Sequence, residues 1–400
     1  MKILPLLTIA ILFLAGCGDT DSTSPATQAT VAAAHGEHGD AHNHTDGLDL
    51  ELYFDGALAQ VASDQACTLA DGTQTSCYAI TIVGYPTNHD VGPFCPPTTA
   101  ASAEEGGIWF DGNAVYDIDG AFILGLAQLY DDSNWKMYDD DGRVHITDTV
   151  EAFNAAARPD VDPAYQNYCV EGRMEWLDNG APVTSTVMIP STPMAAASPT
   201  PARGNLGITL NGVIIAAPAP VDAILGAYTI AAFDDSGGHI NPFEGYHLHG
   251  ARGCSEAGEA VAGETPIFGY ALDGYPIRSP PPAATAASAA LDQCNGHSTA
   301  DYGYHYHAAS AEKNGVLSCF TGLTVQAQGV DHDGGGPPGG APNFAAAAAI
   351  LGVTVQALES ALGSPPPNFA AAAQTLGVTE QALQEAMAAG GGAPRGAPPR

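Results

Sequence analysis

The chain is predicted to be mainly β: a strand-rich domain with an internal duplication, followed by small α-helical hairpin repeats at the C-terminal end. Three observations predict this. From Leu48 to about Met188 apolar residues come in short alternating runs, the period of half-buried strands. Two later stretches, roughly 207–254 and 269–319, repeat one another in an arrangement that suits pseudo-two-fold packing. Beyond them a 25-residue period carries Ala-rich segments with helix-start and helix-stop residues. The 47 glycines and 30 prolines fit a turn-rich architecture.

At the N-terminus, Lys2 precedes an apolar run from Ile3 to Leu14 and then Leu14-Ala15-Gly16-Cys17. This resembles the lipobox of bacterial lipoproteins and is too short for a stable bilayer span. Residues 1–16 are read as a lipoprotein signal peptide, with Cys17 the lipidated first residue of the exported chain. The expectation is a lipid anchor in the cell envelope, at the outer membrane or facing the periplasm; Gly18 disfavours inner-membrane retention. Residues 17–47 lack apolar periodicity and read as a disordered tether. Its His35, His38, His42 and His44 suit weak chelation of a transition metal.

Residues 48–325 form the main domain. Cys77–Val83 and Val183–Ile189 read as strands, Glu151–Ala157 as a short helix, and Met194–Gly204 as a Pro/Ala/Ser-rich loop. Residues 326–341 are a Gly/Pro linker. In 342–388, Pro342–Thr354 recurs as Pro367–Thr379. Asn343 and Asn368 are expected to cap first helices that Gly352 and Gly377 stop, and Thr354 and Thr379 to cap second helices. Residues 389–400 are a disordered tail. This part carries no chemistry and reads as an attachment or spacer module.

Eleven basic against 44 acidic side chains give a net charge of −33, which excludes nucleic acid as a partner because phosphate backbones need basic footprints. No nucleophile elbow, P-loop or dinucleotide fingerprint occurs. Asp111-Gly-Asn113, Asp117-Ile-Asp119-Gly120 and Asp139-Asp-Asp-Gly142 resemble Ca²⁺ loops but lack the full ligand spacing, so solvated turns are expected. His145 and His332 read as inert.

The chemistry lies in the duplicated unit. Phe233–His249 aligns without gaps on Leu291–His307, matching Asp234/Asp292, Gly238/Gly296, His239/His297, Gly245/Gly303, Tyr246/Tyr304, His247/His305 and His249/His307. Upstream, Gly207–Pro218 aligns with Gly269–Pro280, and Asn211-Gly212 and Asp273-Gly274 are tight-turn dipeptides. Residues two apart on a strand share a face, so His247 with His249, and His305 with His307, can converge on one ion. The preceding Gly-His supplies a third imidazole, a donor set that suits zinc or copper. Asp234 and Asp292 are candidates for a further ligand, an orienting partner or a general base. Tyr246 and Tyr304 are candidates for polarising a substrate. Spacing leaves open whether there are two sites or one joint site.

The repeat also sorts the cysteines. Cys294 aligns with Ser236, so Cys294–Cys319 is expected as a staple in the second unit, with Cys67–Cys77 and Cys95–Cys169 completing the set and Cys254 the odd thiol.

Tyr304-His-Tyr-His307, with its preceding Gly-His and with Gly269-Tyr-Ala-Leu-Asp-Gly-Tyr-Pro-Ile277 upstream, resembles the YHYH-domain family of mostly secreted bacterial proteins. Gly84–Phe94 is similar to the family's N-terminal element, and the resemblance thereby adds His89 as a site residue. It covers about 77–325. Leu248 and Ser236 depart from the pattern, which makes the second copy the more intact. The resemblance implies fold and motif and names no reaction. Three functions follow as alternatives: metal capture or buffering of copper or zinc at the envelope, a metal-dependent hydrolase or oxidoreductase with a three-His site, or a structural or adhesion protein.

Overall fold

The computed structural model describes residues 47–157, 161–177, 180–242, 244–257, 264–281, 291–326, 344–362 and 369–379, together with Ala382, Leu383 and Ala386. The signal peptide, most of the tether, the linker, Asn343, Asn368 and the tail lie outside them. Among the described residues no helix is long and apolar enough to cross a membrane.

Strands dominate, as the alternating runs require. β1 (Leu58–Thr68), β2 (Gln74–Ile82) and, further along, β6 (Ser185–Pro190) form an antiparallel three-stranded sheet in the order β1-β2-β6. Between β2 and β6 lie β3 (Ile108–Phe110), β4 (Val115–Asp117), α1 (Gly120–Leu129), α2 (Val150–Ala156) and β5 (Tyr168–Val170). Only α2 was expected from sequence. The chain begins α1 at Asp119, whose carboxylate accepts the Phe122 amide at 2.7 Å, so one of the acidic runs is a helix cap. Asp111 and Asp139 likewise accept amides of their own turns, Asn113 and Ala114 for the first, Asp141 and Arg143 for the second.

Met194–Gly204 is not all loop. β7 (Ala195–Pro201) pairs only with β17 (Cys319–Gly322), an edge position where prolines cost no ladder bond. The large sheet collects β8 (Asn205–Thr209), β9 (Ile214–Ala216), β11 (Gly238–Asn241), β12 (Gly245–Leu248), β13 (Ile267–Ala271), β14 (Pro276–Arg278), β15 (Gly296–Thr299) and β16 (Gly303–His307). Their order is β11-β12-β9-β8-β13-β14-β16-β15. It reads the same way from either edge: an outer antiparallel hairpin, a parallel step inward, then an antiparallel pair, meeting at the antiparallel β8–β13 centre. α3 (Val221–Gly226) and β10 (Thr229–Ala231) lie between β9 and β11 in the chain, and β10 pairs in parallel with β5.

Ile80, Ile82, Val187 and Ile189 of the small sheet pack on Ile208, Leu210, Ile214 and Tyr270 of the large one. A second core gathers Trp109, Phe110, Ile123, Leu126, Trp135, Ile230 and Phe233 around α1. Three disulfides join Cys67–Cys77, Cys95–Cys169 and Cys294–Cys319. Cys254, expected to be the odd thiol, is disulfide-bonded too.

At the C-terminal end stand α4 (Phe344–Leu351), α5 (Val355–Leu362) and α6 (Phe369–Leu376), with Gly352 at φ +68° and Gly377 at φ +69° ending α4 and α6. Thr354 and Thr379 accept the amides of Ala357 and Ala382 at 3.1 Å. Their Ala and Leu side chains form a cluster of their own.

Candidate metal centres

The spacing Gly-His-x5-Gly-Tyr-His-x-His is that of a β-hairpin. β11 and β12 pair with His239 directly opposite His247, and β15 and β16 pair with His297 opposite His305. Directly paired residues share a face, and so does the residue two further along, which brings in His249 and His307. The middle glycines, Gly245 at φ +75° and Gly303 at φ +63°, turn the chain in the left-handed region.

The first glycine has another reason. On β12, Tyr246 points to the opposite face from His247, crosses the backbone at Gly238 and reaches Asp234, its hydroxyl 2.9–3.0 Å from both carboxylate oxygens. Asp234 also accepts the amides of Ser236 and Gly238 at 3.1 Å, and that of Gly92 at 3.3 Å. Burial pushes its carboxyl up to about 6, against the lowering effect of these donors. Asp292 repeats the arrangement with Cys294 N at 2.8 Å, Gly296 N at 2.9 Å and Tyr304 Oη at 2.8 Å. Asp234, Asp292, Tyr246 and Tyr304 therefore brace the turn that leads into each hairpin and do not reach the histidines. The alternation that puts two histidines on one face puts the intervening tyrosines on the other.

On the histidine face two rings of each centre are held by their Nδ1 atoms. That of His247 donates to Gly245 O at 3.1 Å and that of His249 to Ala217 O at 2.7 Å. In the second unit His305 donates to Gly303 O and His307 to Ser279 O, both at 3.2 Å. A ring whose Nδ1–H is taken by a carbonyl presents Nε2 as a lone pair. These lone pairs converge: His239 and His247 Nε2 are 3.0 Å apart, His297 and His305 2.9 Å, and His297 and His307 3.2 Å. His249 Nε2 is buried without a hydrogen-bond partner. Facing lone pairs repel unless a cation or proton lies between them. Burial keeps these rings uncharged, holding His239 well below its ordinary value, His249 down to about 3 and His305 to about 4. A metal ion satisfies all three nitrogens at once.

The second centre has a fourth ligand that sequence reading missed. Glu264 places Oε2 3.2 Å from His305 Nε2 and 3.4 Å from His307 Nε2, and Oε1 3.6 Å from His297 Nε2. A tetrahedron of ligands ~2.0–2.1 Å from zinc has edges of roughly 3.3 Å. The nitrogen–nitrogen and nitrogen–oxygen separations here, 2.9–3.6 Å, bracket that value. Only matches between the repeats were sought, and Glu264 precedes β13 where the first copy has Ala202, so nothing flagged it. Among the described residues the first centre, His239, His247 and His249, has no carboxylate in its group; Phe233 packs on His239 and His249, ring centroids 4.8 and 5.4 Å apart.

His89 joins neither group. Its Nε2 lies 2.8 Å from Ser236 Oγ and its Nδ1 2.9 Å from Asn88 Oδ1, so it fills the place that the Cys294–Cys319 staple takes in the second unit. The two centres are separate. β12 and β16 stand five strand positions apart, about 24 Å across a flat sheet at the usual strand spacing. Two clefts, of ≈ 230 and ≈ 200 Å³, are lined by Tyr130, Trp135 and Tyr228, and by Tyr275, Tyr302 and Tyr304; no histidine of either centre lines them.

Comparison with known proteins agrees with the motif. A family model described as YHYH protein matches residues 186–288. No curated protein and no solved structure matches the chain. The matched span is narrower than the resemblance suggested. It takes in the whole first histidine hairpin, with Leu248 in place of the second tyrosine, and the β13–β14 hairpin, and it stops short of His297. Gly84–Phe94 lies outside it. Over residues 186–288 the chain is thus similar to the YHYH protein family.

Proposed function

We propose that this chain is an exported, lipid-anchored envelope protein that captures or buffers a transition metal, copper or zinc, on two hairpin-borne histidine centres. The observation that carries the reading is the convergence of three Nε2 atoms in each centre, two of them on rings whose Nδ1 is already committed to a backbone carbonyl. Such rings are preorganised for a cation and for little else. Capture is favoured over catalysis by the same geometry. The carboxylates and phenols that an acid–base mechanism would need are spent on bracing turns, and the second centre already offers four ligands. The His-rich tether would pass metal towards the domain, and a strongly acidic surface would raise the local concentration of cations.

Elemental analysis of natively purified protein tests the reading. Up to two metal ions per chain are expected, and the His305→Ala/His307→Ala variant is expected to retain no more than one. An unchanged content in that variant would remove the second centre from the proposal. The anchor is tested separately, by mass spectrometry of the N-terminal peptide of protein taken from membranes. A diacylated Cys17 is expected; a peptide that keeps Ile3–Leu14, or a Cys17 recovered in a disulfide, overturns the anchor and leaves the metal reading untouched.

A further inference from the structure

The two centres are built on one template but are chemically unequal. The second offers three imidazoles and the Glu264 carboxylate, with edges close to those of a zinc tetrahedron. The first offers three imidazoles alone, packed against the Phe233 ring, which itself stacks on Phe110 at 4.4 Å and on Trp109 at 6.2 Å. Resting on the proposal that both centres hold metal, we infer that they sort ions by charge and coordination number. A cuprous ion belongs at His239, His247 and His249, and a divalent ion, Zn²⁺, at Glu264, His297, His305 and His307.

The physical argument has two parts. Desolvating an ion costs energy that grows with the square of its charge, so a divalent ion entering an apolar surround needs an anionic ligand far more than a monovalent one does. Glu264 supplies that ligand directly in the second centre; among the described residues the first has no carboxylate in its ligand group, and Glu244 acts on His247 only through space. Arg278 also stands near the second centre, but its Nη1 donates to Thr265 O at 2.5 Å and its guanidinium lies 4.4 Å from the Tyr302 ring centroid. Those contacts hold Nη1 and the guanidinium face, while Nε is buried without a hydrogen-bond partner. Coordination number points the same way. Zn²⁺ takes four ligands in closed sites, which the second centre provides from the protein. Cu⁺ is content with three nitrogens in a plane, so the first centre needs nothing from solvent.

The full-length protein, stripped of metal and kept under anaerobic reducing conditions, is offered equimolar Cu⁺ and Zn²⁺, desalted, and its metals counted. One copper and one zinc per chain are expected, with an X-ray absorption edge for cuprous copper in a three-nitrogen shell and for zinc in a nitrogen and oxygen shell. This reading needs no variant, so it stands even if a substitution prevents folding. Glu264→Gln is expected to weaken Zn²⁺ binding at least about 100-fold and to leave the copper count at one. His249→Ala is expected to lose copper and keep zinc. Two ions of the same metal, or copper lost with Glu264→Gln, overturn the sorting while leaving metal binding intact. A protein that takes up neither metal overturns the sorting and the binding together.

Discussion

Replacing Gly238 by alanine is expected to destabilise the protein by about 3 kcal/mol and to abolish metal binding at the first centre. A β-carbon there falls 2.5 Å from Tyr246 Cζ and 2.9 Å from His247 O. Neither neighbour has anywhere to go. Tyr246 is 2 % exposed, packed with Leu177, Val213, Ile240 and Leu248, and fixed by two hydrogen bonds to Asp234. His247 O belongs to the very strand that carries two ligands. Displacing Tyr246 would strip a donor from a buried carboxylate, and displacing β12 would pull the His247 and His249 nitrogens off their convergence. Gly296→Ala meets the same kind of obstruction at Tyr304, but that ring is only half-buried and can swing outward. Its cost is expected to be distinctly smaller. Urea unfolding of the two variants measures both. A loss under about 0.5 kcal/mol for Gly238→Ala would mean that Tyr246 does not cross that glycine in solution.

That contrast shows how much of the site was legible in sequence. The two-residue period of strands is enough to pair His247 with His249 and His305 with His307, and the Gly-His at a fixed distance supplies the third ring of each group. The same period, applied one residue back, places Tyr246 and Tyr304 on the opposite face. Treating them as neighbours of the metal overlooked a consequence that the pattern already contained. The staple Cys294–Cys319 was legible because the alignment with Ser236 isolates it. Glu264 was not, since a ligand present in one copy alone leaves no repeat to notice. His89 illustrates the converse error. It came in with a family resemblance, and its ring in fact takes up the space beside Ser236 where the other unit has a disulfide. Helices α1 and α3 escaped because their sequences are apolar almost all round, and packing against the core that β3, β5 and β10 share decides their form more than any polar stripe could.

Lowering the pH from 7.5 to 5.0 is expected to take a few kcal/mol from the stability of the metal-free protein, because the folded state cannot accept protons that the unfolded chain can. An imidazole in the unfolded chain titrates near 6.5. In the folded protein His249 is held down to about 3 and His305 to about 4, chiefly by burial; burial also lowers His239, His247 and His307. Above pH 6.5 both states are neutral at these rings and the difference vanishes. Below it the unfolded chain gains a proton at each, and stability falls until the folded values are reached. By pH 5.0 His249 and His305 each account for about 2 kcal/mol of loss. Asp234 and Asp273 act in the other sense. Burial raises both to about 6, so the folded state holds their protons first, and each returns about 1 kcal/mol between pH 6 and 5. Six lowered imidazoles, with His89 included, against three raised carboxyls, with Glu171 included, leave a net loss. Bound metal changes the curve without changing its cause. At neutral pH it stabilises the folded state by mass action, by about 2.7 kcal/mol for each centre at a hundredfold excess over Kd. Acid removes that contribution, because protons compete for the same nitrogens in the unfolded chain and in the opened site. Urea unfolding with and without metal should therefore give two curves well apart at pH 7.5 that close on one another at pH 5.0. A metal-free protein equally stable at both pH values would mean that these histidines are not buried as neutral rings. The lone-pair convergence from which both centres are built would then be lost.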